Sequence, residues 1–396
     1  MKKALIILLV LSTFSGQARQ QVSERNTQFI LGKPFLLHSD ILNEDKEIYI
    51  SVPTDYHETV HDYPVVFVLE AEFLFNITQS ITHILTLRSE MPASIIVGIT
   101  NGGPGKRSEL TLPTQGGKVY DHLQFFREEL IPYIKKNFRV NDHRTVMGLS
   151  PTTGLVLEAF WSEPDLFSAY ISLCTHLGWN PRRDVTMTDK LIETIEDAEH
   201  PKSAIYLARA DGDLEWNDFA KSTFQAAEEK LKKVSPKNVR FQLEALEQEE
   251  HYAMAPAGIR NAFRFIYPRG TSMFLGYRDS EQIARDVKAH YENLSRAYGF
   301  DVYPVNLGDP HSDSILGFVK YLTRFKKADQ AVDLIELGLR YYPNSPDLHM
   351  RLAELYQEAG NLQKALTLAD KSVTLAEKYQ PGKSSDFRER LNQIKD

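Results

Sequence analysis

The chain is poor in sulfur. Its single cysteine, Cys174, rules out an internal disulfide, so a packed core must hold the fold. Long apolar runs are also missing. The one near the N-terminus is shorter than a bilayer-spanning helix requires, and no later segment comes close. Positive charge is in deficit: 46 Lys and Arg stand against 53 Asp and Glu, a formal net charge of −7. An acidic surface argues against nucleic acid and anionic membrane as partners. No His, Cys, Asp or Glu spacing reads as a metal site, and there is neither a phosphate-cradling loop nor a cofactor fingerprint. What remains is a globular composition, 42% hydrophobic and 25% charged. At 396 residues the chain suggests a large domain followed by a smaller one.

The N-terminus has the layout of a secretory signal peptide over 1–18. Lys2-Lys3 is the charged start, 4–11 is the apolar stretch, and Gly16-Gln17-Ala18 supplies small residues for cleavage. No cysteine follows the apolar stretch, so lipid attachment there is not expected. The leader looks bacterial and predicts a periplasmic or secreted protein with no stable membrane insertion.

Short apolar runs then alternate with amphipathic stretches. Strands are predicted at 35–41 and 46–52, joined by the turn residues Asn43-Glu-Asp45, as an antiparallel edge hairpin. Further strands are expected at 65–69, 93–99, 145–147, 169–173, 204–208 and 239–246. Helices are expected at 75–87 (apolar at 77, 81, 84 and 85), 119–138, 154–161, 219–233 and 257–267. Pro132 should kink or split the second of these. Asn141-Asp142 reads as the turn into the strand at 145. The alternation implies a parallel sheet covered on both faces. After residue 280 strand signals vanish. A helix is predicted at 280–298, and 314–378 carries a 34-residue period pairing Val319 with Ala353, Leu322 with Tyr356, and Ala331 with Ala365. That is the spacing of tetratricopeptide repeats. The helices at 280–298 and 384–394 are expected to cap the array or dock it.

Gly148-Leu-Ser150 ends a buried strand and opens a helix. It matches the first half of the G-x-S-x-G nucleophile elbow of α/β-hydrolases, which lifts a serine hydroxyl above the sheet. In that fold an acid and then a histidine follow the serine in sequence. Asp211 and Asp213 follow the strand near 208, and His251 follows the last strand. All lie on the C-terminal side of strands, where such sheets place their sites. Serine would attack an acyl carbonyl, histidine would carry its proton, and the acid would orient the histidine.

These segments together resemble the esterase family that includes esterase D and the enterobactin-type siderophore esterases, and more closely its exported bacterial members with C-terminal tetratricopeptide repeats. The resemblance rests on Ser39 to Pro53, Tyr63-Pro-Val-Val-Phe-Val-Leu69, Val97-Gly-Ile99, Glu129-Leu-Ile-Pro-Tyr-Ile134, Gly148-Leu-Ser150, Pro164-Asp-Leu-Phe167 and Glu250-His251. It implies an α/β-hydrolase domain over 19–272, a helical linker over 273–311, repeats over 312–378 and a capping helix over 379–396. It also implies hydrolysis of a small-molecule ester with Ser150 as nucleophile, His251 as base and Asp213, or else Asp211, as acid. No cofactor or metal is implied. The family's Asp-Gly-Asp after the strand ending at Leu69 is here Glu70-Ala71-Glu72, which puts an oxyanion donor at Ala71. The 106–111 segment corresponds to the family's arginine-rich loop, with Glu109 where Asp is usual. The repeats offer a surface to a protein partner.

The elbow departs from the pattern at two adjacent positions. Pro151 has no N–H, where the family takes its second oxyanion donor. Thr152 stands where glycine lets helix and strand approach. Thr152 and Thr153, through main-chain N–H or hydroxyl, are the expected replacement donors. The alternative reading is a weak or silent hydrolase fold kept for binding a ligand or protein.

Overall fold

The computed structural model describes residues 33–396 except 104, 114–115, 176, 178–186, 216–217, 269–275 and 307–312. The expected leader, parts of the 273–311 linker and residue 312 at the start of the repeats lie outside the described residues. Every expected strand forms: β1 (Lys33–Ser39), β2 (Glu44–Ser51), β3 (Tyr63–Leu69), β4 (Ile95–Ile99), β5 (Val140–Leu149), β6 (Ala169–Leu173), β7 (Ser203–Ala210) and β8 (Val239–Leu246). They build one sheet in the order β1-β2-β4-β3-β5-β6-β7-β8. The β1–β2 hairpin adds antiparallel to β4, and the other pairings are parallel. β3 shows why the sheet needs two layers of helix. Val65, Phe67 and Leu69 join the core on one face, while Val66 and Val68 join the core on the other.

Helices α1 (Ala71–Leu87) and α7 (Ala255–Ile266) cover the second face. The first face is covered by α2 (Val119–Phe125), α3 (Ile131–Asn137), α4 (Thr153–Ser162), α5 (Met187–Glu196) and α6 (Asp218–Leu231). Pro132 splits the expected 119–138 helix. Before it, the chain widens into a π turn over Phe126–Leu130, and the Ile131 N–H reaches back five residues to the Phe126 carbonyl.

Three local expectations need correction. Asn141-Asp142 is no turn before β5 but lies inside it. The register jumps from Tyr63 opposite Val140 to Val65 opposite Arg144, so β5 carries two extra residues in a bulge. On α1 the buried face is Ala71, Leu74, Phe75, Thr78, Thr82 and Leu85, and Ile84 is exposed. Helix α5 was not anticipated.

The helical region follows as Ile283–Tyr298, two hairpins (Ile315–Arg324 with Ala328–Tyr341, and Pro346–Glu358 with Leu362–Tyr379) and Ser384–Lys395. Ser314 and Asn361 cap their helices, accepting from the N–H groups of Gly317 and Lys364. Val319, Leu322, Ala331, Ala353 and Ala365, members of the 34-residue pairs, are fully buried. The two flanking helices divide the expected tasks. Ile283–Tyr298 docks, with Tyr291 Oη 3.2 Å from Ser89 Oγ. Ser384–Lys395 caps, packing Phe387, Leu391 and Ile394 on Ala365, Ala369 and Ala376.

Residues 32–396 form one compact unit. The helical array is seated on the 53–63 segment and the end of α1. The Asp313 N–H donates to the Leu87 carbonyl (3.0 Å) and the Asn344 N–H to that of Glu58 (3.2 Å). The Glu58 carboxylate also accepts from Gln380 Nε2 at 2.8 Å. No helix among the described residues is long and apolar enough to cross a membrane.

Candidate active site

Four neighbouring strands, β5 to β8, end on the same side of the sheet, and each delivers one residue to a single cluster. Ser150 follows β5 with φ of +58°, a left-handed conformation that costs a non-glycine residue about 1–2 kcal/mol. It persists because the sharp turn is over-determined. A Cβ on Gly148 would lie 2.8 Å from the Thr152 carbonyl oxygen, and one on Gly154 would lie 2.5 Å from the Leu112 nitrogen. Glycine is therefore required at 148, before the serine, and at 154, in the first turn of α4, and the 106–112 loop lies directly on the start of that helix.

Ser150 Oγ is 2.9 Å from His251 Nε2, and His251 Nδ1 is hydrogen-bonded to Asp213 Oδ1. Asp213 is wholly buried, and its second oxygen accepts from the Ala210 N–H at 2.9 Å. The two candidate acids thus take different positions. Asp211 faces outward, where it accepts from the Gln248 N–H (2.9 Å) and pairs with Arg209. It ties the turn after β7 to the turn after β8, and the Gly212 N–H bond to the Glu249 carbonyl reinforces that tie. An Nδ1–H held by Asp213 leaves Nε2 as the acceptor for the serine proton, the arrangement a nucleophilic serine needs.

Glu70 has φ of +54° and precedes α1, so Ala71 is the first residue of a helix whose opening N–H groups lack intrahelical acceptors. The Glu70 carboxylate turns inward. Its Oε1 accepts from the Thr152 hydroxyl at 2.8 Å, and its Oε2 is paired with Arg107 Nε at 2.9 Å. Burial pushes this carboxyl above its ordinary range, opposed by Arg107 and Thr152. Thr152 Oγ1 also accepts from the Leu149 N–H at 2.9 Å. Two of the sequence's departures, Glu70 and Thr152, therefore meet and satisfy each other. Arg107, from the loop matched to the arginine-rich segment, closes over them and also donates to Tyr252 Oη at 3.0 Å.

This geometry removes part of one expectation. Neither threonine hydroxyl is available as a replacement for the Pro151 donor. That of Thr152 is committed to Glu70 and Leu149, and that of Thr153 donates to the Ser150 carbonyl at 2.6 Å. The main-chain N–H of Thr152, in the turn that opens α4, remains.

Tyr252 and Phe73 were not singled out from the sequence. Both are exposed aromatics, with rings 6.0 Å apart at 80°, and the Tyr252 ring lies edge-on to His251 at 4.6 Å. Their exposure, which the sequence does not show, is what points to them. Cys174 Sγ, a ring nitrogen of His251 and a carboxylate oxygen of Asp213 lie within 4.8 Å of one another. These are metal-ligand types, but the imidazole and the carboxylate are bonded to each other. Burial, with Asp213 adding to it, pushes the thiol up, so it stays protonated. The cluster is held by hydrogen bonds.

A family model described as "Putative esterase" matches residues 39–259, more than half of the chain, and a tetratricopeptide-repeat model matches 322–374. The chain belongs to this esterase family and is a serine hydrolase that cleaves esters. It is 24% identical over 261 residues to the ferri-bacillibactin esterase BesA of Bacillus subtilis, covering 59% of this chain and 89% of that one. Its fold is similar to the crystal structure of an IroE-like serine hydrolase from Shewanella oneidensis (TM-score 0.61, 23% identity, 78% of this chain and 98% of that one). It is also similar to that of an uncharacterised protein from Capnocytophaga ochracea (TM-score 0.56, 19% identity, 92% and 99%). The second likeness covers more of the chain than the esterase region alone could supply.

Proposed function

We propose that this protein is an exported esterase working through an acyl-enzyme on Ser150, with His251 as general base and then acid, and Asp213 orienting it. The observation that carries this reading is the unbroken chain from Ser150 Oγ to His251 Nε2 and from Nδ1 to a buried carboxylate. Serine attacks the ester carbonyl while its proton passes to Nε2. The same proton then goes to the leaving alcohol, and water repeats the sequence to release the acid. The oxyanion is received by the Ala71 N–H, with the Thr152 N–H in place of the donor that Pro151 lacks. With no N–H at residue 151 the hole is weaker than usual, and turnover is slow.

The exposed pair Phe73 and Tyr252, with Arg107 beside them, favours an ester that carries an aromatic ring and a negative or phenolic group. The name of the Bacillus relative, a ferri-bacillibactin esterase, supports placing the substrate among siderophore-type esters. The leader over 1–18 supports action outside the cytoplasm, and the repeats are the surface offered to a protein partner. The test is a panel of alkyl and aryl esters with wild type and Ser150→Ala, alongside fluorophosphonate labelling. Wild type should be labelled and should hydrolyse aryl esters, and Ser150→Ala should lose ~10³-fold or more. Folded wild type that neither labels nor hydrolyses would leave a binding fold instead.

A further inference from the structure

Arg107 reaches Glu70 and Tyr252 from a short 3-10 helix, Lys106–Leu110. Such a short piece has little rigidity of its own. The residue before Arg107 supplies an anchor. Lys106 Nζ is 2.8 Å from Glu44 Oε2, at the start of β2. The other oxygen of that carboxylate, Glu44 Oε1, is 2.7 Å from Lys46 Nζ. Glu44 and Lys46 stand two apart on one strand, so they share a face of the sheet. The Lys46 side chain is 3% exposed, whereas that of Lys106 is 38% exposed. One carboxylate thus joins a buried cation to a cation on the loop.

We propose that Glu44 is a positioning residue for Arg107, tying its loop to β2 through Lys106 and so setting the preference for esters with an anionic group. The inference rests on the reading above of Arg107 as the group that meets such esters. An exposed ion pair contributes little as a rule, because two long side chains must be ordered to make it. Here one partner is already ordered. A buried ammonium needs a counter-charge, so Lys46 fixes Glu44 in place and leaves its second oxygen to Lys106. Burial opposes ionisation of Glu44, but Lys106 and Lys46 outweigh it and hold the carboxyl below its ordinary range. The tie is therefore charged at neutral pH. The loop has a second attachment at Glu109. Its Oε1 is 3.4 Å from Lys106 Nζ and from Lys118 Nζ, and its Oε2 is 3.7 Å from Nε2 of His122 on α2. Burial, with Lys46 adding to it, pushes His122 down to about 4, so it brings no charge near neutrality. These contacts are longer than those of Glu44, which makes Glu44 the firmer attachment.

The test compares para-acetoxybenzoate with its neutral counterpart para-acetoxybenzamide. Lys106→Gln cuts the tie at the loop and leaves the buried pair intact, and Glu44→Gln cuts it at the centre. These variants change the net charge in opposite senses. A long-range field would move the preference in opposite directions, whereas a lost tie moves it the same way. Both should raise KM for the anionic ester about fivefold and leave that for the amide within about twofold, while Lys106→Arg stays close to wild type. Solvent exchange of the Arg107 Nε–H, followed by NMR without substrate, should quicken about fivefold in both. Lys106→Gln strands no buried charge, so it decides the matter alone if Glu44→Gln does not fold. The proposal is overturned if folded Lys106→Gln keeps the exchange rate or the KM ratio of wild type, or if the two variants shift that ratio in opposite directions. Arg107→Gln is the reference. If it keeps the preference, the substrate reading of Arg107 falls and the tie's role falls with it. If it abolishes the preference while both tie variants retain it, only this proposal falls. The exchange readout needs no turnover, so failure here is distinguishable from failure of the esterase reading.

Discussion

Replacing Thr152 by valine isolates the clamp between the turn that carries Ser150 and the loop that carries Glu70. The side chains have nearly the same shape, so the change removes little but the hydroxyl. That hydroxyl accepts from the Leu149 N–H at 2.9 Å and donates to Glu70 Oε1 at 2.8 Å. Leu149 is wholly buried, so its N–H has no water to turn to. Leaving it unpaired costs about 1–3 kcal/mol. The buried Glu70 carboxylate loses a charge-assisted bond worth roughly 1.5–3 kcal/mol, part of which the Arg107 pair retains. We therefore expect Thr152→Val to lose about 2–4 kcal/mol of unfolding free energy. Thr152→Ser, which gives up only a methyl group, should lose about 1 kcal/mol. Thr152→Gly restores the family pattern yet should be at least as damaging as valine, because glycine cannot supply the hydroxyl that Leu149 and Glu70 use here. Urea denaturation of the three variants measures this. Activity should fall with stability, because Glu70 immediately precedes the proposed oxyanion donor Ala71. A Thr152→Val protein within about 0.5 kcal/mol of wild type would refute the clamp, since that lies below the cost of even one unpaired buried donor.

Pro151→Ala supplies the missing N–H and should speed acylation by activated esters, by up to about 10²-fold if the amide reaches the oxyanion. Unchanged or slower burst kinetics would mean that another donor already fills the place. Gly154→Ala puts a methyl group 2.5–2.7 Å from the backbone of Leu110, Thr111 and Leu112, and should destabilise by about 1–3 kcal/mol while shifting the Arg107 loop; a normal melting temperature would contradict that packing. At the seat of the repeats, burial raises the Glu58 carboxyl to about 7. In the fold it keeps its proton up to that pH, whereas in the unfolded chain it ionises near its ordinary value of 4.5. Its contribution to stability is therefore full below about pH 4.5 and lost as the pH rises through 7. Glu58→Gln should match wild type at pH 4.5 and exceed it at pH 8 by up to about 3 kcal/mol, and equal stability differences at both pH values would refute the assignment.

The order of strands and the order of the site residues were legible because both are local. Each of Ser150, Asp213 and His251 stands just beyond a short apolar run, and in a parallel sheet such positions share one edge whatever the loops do. The repeats were legible for a similar reason: Ala331 and Ala365 recur at one spacing, and small residues at helix crossings leave a periodic trace. Other features were ambiguous at the level of local pattern. Asp211 and Asp213 lie two residues apart in one turn, and both suit turn chemistry. Only the bond from the Ala210 N–H and the approach of the β8 turn put one carboxylate inside and the other at the surface. Apolar spacing on α1 offered Ile84 as a core residue, but the face that packs on the sheet runs through Thr78 and Thr82 instead.

The sequence by itself determined the class of fold and the family, and it singled out Ser150 and His251 as candidates for nucleophile and base, because hydrophobic period and residue order survive without any knowledge of contacts. It presented Glu70, Pro151 and Thr152 as separate faults in a familiar motif. Tertiary structure decided that two of them are one feature, a carboxylate and a hydroxyl 82 positions apart that satisfy each other in a buried space. It likewise set Cys174 against His251 across 77 positions. A buried polar group must find its partner wherever the folded chain brings one, and that partner has no fixed offset in the sequence.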